Sequence, residues 1–509
     1  MRIGDEQIAR LQDMRVLMLN PPFLPRFSRA QRSPAVTKSG TLYYPIWLAY
    51  ATGVLEDAGC QVRLMDAPAS GQTIADAEAM IADWQPHVLV IDVSTPSFAN
   101  DLRVLEALKE HRPSLFTVAI GPHVSALPDE ALAASPALDA LARREAEYTL
   151  RDLVLALVNE TPLAAVAGLS HRQDGQAKHN PDRAYISDLD QLPFVTRVYQ
   201  RHLRPEDYFY AITPYPVVSL MAGRGCPNRC TYCLFPQTLQ GRRYRHRSPA
   251  NIVAEFQFIA AELPQVKHVF IEDDTLTANR QHCRELARLL IEARTGLTFT
   301  ANSRADVDYE TLATLKAGGL RMLCVGFESG DEEVLRNIHK GVTTDQMRQF
   351  ARDARRAGVL VHGCFMAGNA GETRQTLGRT LALAKELNPD SAQFFPLMVY
   401  PGTEAYTWAD SNRFLTTRDY SQWLTPEGLH NCVLQLPELS SQDLVTWCDG
   451  ARRSFYLRPR YIFAKLRQSL TQPAELRRVL KAGLTFLPFL LRRGAAETEP
   501  PDAATECRR

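Results

Sequence analysis

Three cysteines stand close together in the stretch Gly223-Arg-Gly-Cys-Pro-Asn-Arg-Cys-Thr-Tyr-Cys-Leu-Phe-Pro236: Cys226, Cys230 and Cys233. The spacing is C-x3-C-x2-C. Thiolates ligate iron–sulfur clusters, and a cubane usually takes four of them. Three ligands this close, with no fourth nearby, imply a [4Fe–4S] cluster with one iron left open. An open iron is a place for a substrate or cofactor to bind, so such a cluster is reactive. Two plainer readings compete with it. Zinc prefers paired C-x2-C units or added histidines, and the nearest histidine, His246, sits in an arginine-rich loop. Chance spacing is the other, in a chain of ten cysteines. The apolar run before Cys226, and Tyr232 just before the last cysteine, weigh against both.

A reactive loop needs a scaffold that aims it. Residues 213–400 alternate apolar runs with helical spacing, the runs falling at 217–221, 268–272, 297–301, 322–327, 359–365 and 392–398. Six such units predict a barrel or partial barrel, whose chemistry sits at the carboxyl ends of its strands. The cysteine loop follows the first of them. Residues 15–150 show the same α/β rhythm, with strands at 15–20, 61–66, 87–93 and 115–121 and helices at 46–58 and 75–84. That pattern predicts a Rossmann-like, doubly wound parallel sheet, which binds ligands at its strands' carboxyl ends. Those ends carry Asn20-Pro21-Pro22, Ser94-Thr95-Pro-Ser97 and Gly121-Pro-His123. They are either ordinary turns or room for a flat, bulky ligand. The expected organisation is a first domain over 1–150, a connector with a small hairpin over 151–212, a barrel over 213–405, and a mainly helical region over 406–509.

The ten cysteines are scattered outside the one loop, which excludes a disulfide framework. The N-terminus has no apolar signal core, and no uninterrupted apolar run reaches about 18 residues. A reducing, cytoplasmic setting with low oxygen is the expectation. The formal net charge of +1 hides an asymmetry. Residues 451–493 carry eleven Lys or Arg and one acidic residue, Glu475, so +10 there leaves −9 for the remainder. Within 461–493, Leu484-Thr-Phe-Leu-Pro-Phe-Leu-Leu491 sits among the basic residues. That suits either a helix on the inner membrane surface, which a lipid-like substrate would explain, or a helix packed on the barrel. Nucleic acid is a poor partner, because basic and aromatic residues do not interleave elsewhere. The loop Gly241-Arg-Arg-Tyr-Arg-His-Arg247 reads equally as a phosphate or carboxylate site or as a solvated basic turn.

The cysteine loop on the first strand of a six-unit barrel resembles the radical S-adenosylmethionine (SAM) superfamily. The likeness extends to Glu272-Asp273-Asp274, Asn302-Ser-Arg304, Gly326-Phe-Glu328-Ser329-Gly330, Val334-Leu-Arg-Asn-Ile-His-Lys-Gly341, Met366-Ala-Gly368-Asn-Ala-Gly371-Glu-Thr373 and Tyr400-Pro-Gly-Thr403, each at a strand end or just after one. Ala370 departs from the proline common in relatives. The N-terminal half resembles the cobalamin-binding domain that precedes the barrel in a large branch of the superfamily, through Leu19-Asn20-Pro21-Pro22, Tyr44-Pro-Ile-Trp-Leu-Ala-Tyr50, Ile120-Gly121-Pro-His123 and Arg144-Glu-Ala-Glu147. No histidine follows the first strand in Asn20-Pro-Pro-Phe-Leu-Pro25, so a lower cobalamin ligand from that loop is not expected. The stretch Tyr43-Tyr-Pro-Ile-Trp-Leu-Ala49 resembles a subgroup that includes the anaerobic magnesium-protoporphyrin ester cyclase and a hopanoid-modifying enzyme.

The resemblance implies that Cys226, Cys230 and Cys233 hold the cluster and that SAM chelates its open iron. One-electron reduction then yields a 5′-deoxyadenosyl radical that takes hydrogen from an unactivated carbon; the cofactors carry this chemistry and the protein orients them. Glu272 and Asp273 suit the SAM amino group, Glu328 the ribose and Arg304 the carboxylate. Tyr232, Ser329, Gly368 and Gly371 complete the expected SAM contacts; Asn20, Pro21, Ser94, Thr95, Gly121 and His123 are those expected for cobalamin. The function implied is C-methylation of a small-molecule or lipid-like substrate, with ring formation or contraction as the alternative and an electron donor such as flavodoxin or ferredoxin. A methylthiotransferase would show a second cysteine trio, and residues 1–150 hold only Cys60. A cobalamin or redox sensor without turnover is the non-enzymatic alternative, disfavoured by the complete set of strand-end motifs.

Overall fold

A computed structural model describes residues 11–463 and 465. In its first sheet β1 (Arg15–Asn20), β2 (Gln61–Asp66), β3 (Val88–Asp92), β4 (Phe116–Ile120) and β5 (Ala140–Ala142) run parallel. β6 (Leu169–Gln173) and β7 (Gln176–His179) join antiparallel beyond β5, giving the order β2-β1-β3-β4-β5-β6-β7. The sheet therefore continues past residue 150. Asp174 and Gly175 make the tight turn of the β6–β7 hairpin, both at positive φ (52° and 76°), the conformation that matches strand twist.

The central strands are apolar along their length because both faces are covered. Leu17, Leu19, Leu89 and Ile91 close one core with the helices Ile74–Trp84 and Phe98–His111. Val16, Met18, Val88 and Val90 belong to a second core with the helices Ile46–Asp57 and Glu147–Val158. The helix Ile46–Asp57 buries every residue from Ile46 to Leu55. A helix apolar all round is enclosed by protein. Tyr50, on this helix, accepts the backbone N–H of Met221 at 3.1 Å, and Tyr44, just ahead of it, donates to the carbonyl of Val217 at 3.0 Å. One continuous core thus runs from this face of the first sheet into the second.

The second sheet starts at β8 (Val217–Leu220). β9 (Gly223–Arg224) and β10 (Arg245–His246) form a short antiparallel ribbon at the root of the cysteine loop. β11 (His268–Ile271), β12 (Thr298–Ser303), β13 (Leu320–Glu328), β14 (Leu360–Ala367) and β15 (Ser391–Pro396) follow β8 in sequential parallel order. This is a six-stranded partial barrel, and the helix Ser441–Tyr456 packs along β15, where the Tyr456 hydroxyl bonds the backbone N–H and C=O of Ala392. Phe327, Phe365 and Phe394 stack in a row toward the outer helices, with Phe350 and Trp447 against them. Strand alternation then turns Gly326, Cys364 and Gln393, which share one register row, to the lumen.

In the C-terminal region the helices Glu404–Ser411 and Ser441–Tyr456 are joined by an irregular stretch, 412–440, that packs against the first sheet's carboxyl edge through Tyr420. Residue 464 and the basic stretch from 466 onward lie outside the described residues, as does the N-terminus before residue 11. Among the described residues no helix is long and apolar enough to cross a membrane.

Candidate active site

The cysteine loop leaves β9 through Gly225 at φ +80°, where a Cβ would stand 2.3 Å from the Arg243 carbonyl. Only glycine fits that turn. The loop is then pinned by its backbone: Gly225 N–H to Gln240 Oε1 (2.8 Å), Cys226 N–H to the Gly241 carbonyl (3.2 Å) and Thr231 N–H to the Ile338 carbonyl (3.1 Å). Cys226 and Cys230 are buried and Cys233 is partly exposed. Among the described residues no three His, Cys, Asp or Glu side chains converge on a point that suits one metal ion. A cubane does not require that, since each thiolate takes its own iron. The Cys230 thiol is held well below the ordinary range by a hydrogen bond from Cys233 and by the charges of Lys340 and Arg304, against the cost of burial.

Lys340 lies in a motif that the sequence reading named without giving it a role. Its Nζ lies 3.1 Å from Glu328 Oε1 and 3.2 Å from the Tyr232 hydroxyl, which donates to the same Oε1 at 3.0 Å. Arg304 donates to the Lys340 carbonyl and reaches Cys230 Sγ at 3.8 Å. Two buried cations therefore stand beside the thiols. Glu328 adopts φ +66°, beside a register shift in β13. Such strain persists only where surrounding contacts over-determine it. Gly326 makes room for it: a Cβ there would meet Glu328 Oε1 at 2.0 Å and Lys340 Nζ at 2.9 Å. Gly326→Ala is expected to push the Lys340–Glu328 pair out of place and to cost about 1–3 kcal/mol in urea unfolding. An unchanged midpoint would show that the pair can move aside.

The end of β11 presents Glu272, Asp273 and Asp274. Asp273 spends both oxygens inside the protein, on Ala222 N–H (2.8 Å) and the Tyr244 hydroxyl (2.9 Å). Glu272 and Asp274 instead meet Arg32, a residue of the first domain that no local signal marked. Ser329 bonds Thr380 and the Asp331 N–H. In the fifth loop the Glu372 carboxylate gathers the N–H groups of Gly368 and Asn369, and burial lifts its pKa to about 7. Gly371 sits at φ +82°, and a Cβ on Gly368 would approach Leu444 at 3.1 Å. These glycines shape the turn and its packing on the C-terminal helix.

In the arginine-rich loop 241–247, Arg245 and Arg247 are buried and paired within the protein, while Arg243 and His246 are exposed. Arg245 grips Glu145 with two bonds (2.9 and 2.8 Å), and Arg247 pairs with Glu255 at 2.5 Å. Arg224, one residue before Gly225, pairs with Glu147 at 2.6 Å, and both side chains are almost fully buried. The Arg144-Glu-Ala-Glu147 motif of the first domain is thus spent on holding the root of the cysteine loop.

At the carboxyl edge of the first sheet, Asn20 bonds Asp66 and Arg29, and Ser94 bonds Ser97. Pro21 is buried beside them. Gly121 sits at φ +117°, with the Val93 carbonyl 2.4 Å from where a Cβ would lie. His123 Nδ1 meets Thr95 Oγ1 at 3.2 Å, its ring lies against Phe98 and Tyr420, and its Nε2 is buried without a partner. Asp92 Oδ2 is likewise unpaired. Burial pushes the His123 pKa down to about 3, so the ring is neutral. Below about pH 6.5 the unfolded chain binds a proton that the native ring refuses, so stability falls on acidification, by up to about 1.4 kcal/mol per pH unit. His123→Gln should remove that loss. Burial lifts Asp92 to about 7, which acts with the opposite sign, so the difference between wild type and variant in urea unfolding at pH 5 and pH 7 isolates the ring. Parallel profiles would place His123 in a wetter setting.

The donor set fits the implied groups. Three thiols share one pinned loop beside two buried cations, and unpaired polar atoms stand with small residues on the edge of the first sheet. Comparison with known proteins agrees. The Radical SAM superfamily profile matches residues 220–384 and the B12 binding domain profile matches residues 32–154. An uncharacterized methyltransferase of Pyrococcus horikoshii is 29% identical over 452 residues, 88% of this chain and 94% of that protein. The anaerobic magnesium-protoporphyrin IX monomethyl ester cyclase of Rubrivivax gelatinosus is 26% identical over 401 residues, 77% of this chain and 69% of the relative. The solved structure of the cobalamin-dependent SAM radical enzyme OxsB with aqua-cobalamin shares the fold at TM-score 0.67 and 15% identity, covering 93% of this chain and 72% of that one. The cofactors of such a chain are a [4Fe–4S] cluster, SAM and cobalamin, and it is a radical SAM enzyme of the branch that carries a B12-binding domain ahead of the barrel.

Proposed function

We propose that this enzyme methylates an unactivated carbon of a small-molecule or lipid-like substrate. The observation that carries the reading is the cysteine loop and the B12-type sheet edge built into one continuous core, in a chain that matches a methyltransferase over nearly its whole length. When bound, the cluster and SAM supply a hydrogen-abstracting 5′-deoxyadenosyl radical and cobalamin supplies the methyl group.

The chain's own residues do the rest. Cys226, Cys230 and Cys233 hold the cluster, while Lys340 and Arg304 offset the thiolate charge beside it. Glu272 and Asp274 receive the SAM amino group, and Glu328, oriented by Tyr232 and Lys340, receives the ribose hydroxyls. Gly121, Thr95 and His123 face the cobalamin side. The lumen row Gly326, Cys364, Gln393 is uncharged, because burial holds the Cys364 thiol protonated, with a pKa near 12. A low-potential electron donor of the flavodoxin or ferredoxin class serves the cluster.

Anaerobic reconstitution with iron, sulfide, cobalamin, SAM and reductant, on a pool of extracted small molecules and lipids, tests this. Methylation gives S-adenosylhomocysteine and 5′-deoxyadenosine together. The match to a cyclase supports a second reading, ring formation, which gives 5′-deoxyadenosine without S-adenosylhomocysteine. Neither product, with both cofactors bound, would mean a sensor.

A further inference from the structure

The segment between β1 and the helix Ile46–Asp57 has no regular structure beyond one isolated bridge, Ser28 to Ala35. It carries two arginines three residues apart whose side chains end in different halves of the molecule. Arg29 turns into the first sheet and is fully buried. Its Nε and Nη2 bond the two oxygens of Asp101 (3.1 and 2.5 Å), and its Nη1 bonds Asn20 Oδ1 (2.8 Å) at the end of β1. The Asn20 amide passes on to Asp66 at the end of β2 (2.7 Å).

Arg32 turns the other way, into the barrel. Its Nη1 lies 3.3 Å from Glu272 Oε2, and its Nη2 bonds the carbonyls of Glu272 and Asp273 (2.9 Å each) and Asp274 Oδ1 (3.3 Å). Phe235, two residues past Cys233, lies 5.5 Å from its guanidinium. The pocket therefore joins two carboxylates to one cation. Glu272 Oε1 and Asp274 Oδ2 remain buried without partners. Charge and hydrogen bonding both leave it short of one more cationic group that carries N–H donors.

We propose that residues 27–33 couple the two cofactor sites. Arg32 is a positioning residue that completes the pocket for the SAM amino end across the domain boundary, and Arg29 fixes it to the edge of the first sheet. This rests on the function proposed above. A ligand seated at that edge favours the arrangement of the segment that SAM also needs, so each tightens the other, and linkage makes the effect reciprocal.

The test is anaerobic equilibrium dialysis of radiolabelled SAM against the full chain with its cluster reconstituted, with and without hydroxocobalamin. Cobalamin is expected to tighten SAM binding by about fivefold or more in the wild type, the lower end of ordinary allosteric coupling. Arg32→Gln should weaken SAM binding by about tenfold and reduce the cobalamin effect to less than about twofold, with iron and cobalamin contents unchanged. Should Arg32→Gln fail to load its cofactors, Arg32→Lys decides: it keeps the charge but not the grip on two carbonyls, and should weaken SAM by about threefold or more. Wild-type SAM affinity that ignores cobalamin, or wild-type affinity and coupling in both variants, would overturn the inference alone. A wild type that binds no SAM with both cofactors loaded would overturn the function with it.

Discussion

Cys230→Ala is expected to leave the chain without its cluster. After anaerobic reconstitution, iron should fall from about four per chain to background, and SAM cleavage by roughly three orders of magnitude or more. Cys230 is the most exacting of the three positions. It is 4% exposed, with Arg304 at 3.8 Å and Lys340 contributing a second positive charge. A thiolate is the form that binds iron, and this is the thiol whose surroundings favour it. Removing it also takes a negative charge from beside Arg304 and Lys340, which keep Asp306 and Glu328 as partners. Cys448→Ala is the control: that thiol is buried among apolar side chains, its pKa is pushed up by burial, and iron content should not change. Full iron in Cys230→Ala would mean that a different set of residues binds the cluster.

Glu147→Ala should cost about 3–5 kcal/mol of stability, because it leaves the Arg224 guanidinium buried with its main partner gone. Arg224 is 1% exposed and stacks over Tyr50, with Trp47 also near its guanidinium. Glu145 lies 3.6 Å away but already serves Arg245, so it compensates only in part. The double variant Glu147→Leu with Arg224→Met should recover most of the loss, since neither charge is then stranded. Urea unfolding of Glu147→Leu, Arg224→Met and the double variant closes the cycle. Iron loading should follow the same order, as Arg224 anchors the strand that enters Gly225 and Cys226. Singles within about 1 kcal/mol of wild type would show that water reaches this pair.

Features carried by local pattern were legible in the sequence. The cysteine spacing, the six barrel runs and the four strands of the first domain all appear within a residue or two of where they were expected. β5 escaped notice because three residues, Ala140–Ala142, leave no periodicity to read. The hairpin was seen, but not that it extends the first sheet, since edge pairing depends on where the sheet ends in space. Within the site the missing parts are long-range partnerships. Arg32 meets Glu272 across 240 residues and Arg245 meets Glu145 across 100. No window along the chain contains both members, so each arginine reads alone as a surface charge. Asp273 and Ser329 show the converse: their types and places suit a ligand, yet their polar atoms are taken up by neighbouring backbone and hydroxyls.

The helix Ile46–Asp57 is a wall of both halves at once. Among the described residues one buried core joins the two sheets, so packing sets how they sit against each other. Neither half is a cassette that can be lifted out, because cutting the chain near residue 200 would bare the barrel-facing side chains of this helix, Trp47 and Tyr50 among them. New substrates are therefore reached by changing lumen positions such as Cys364 and Gln393, not by exchanging domains.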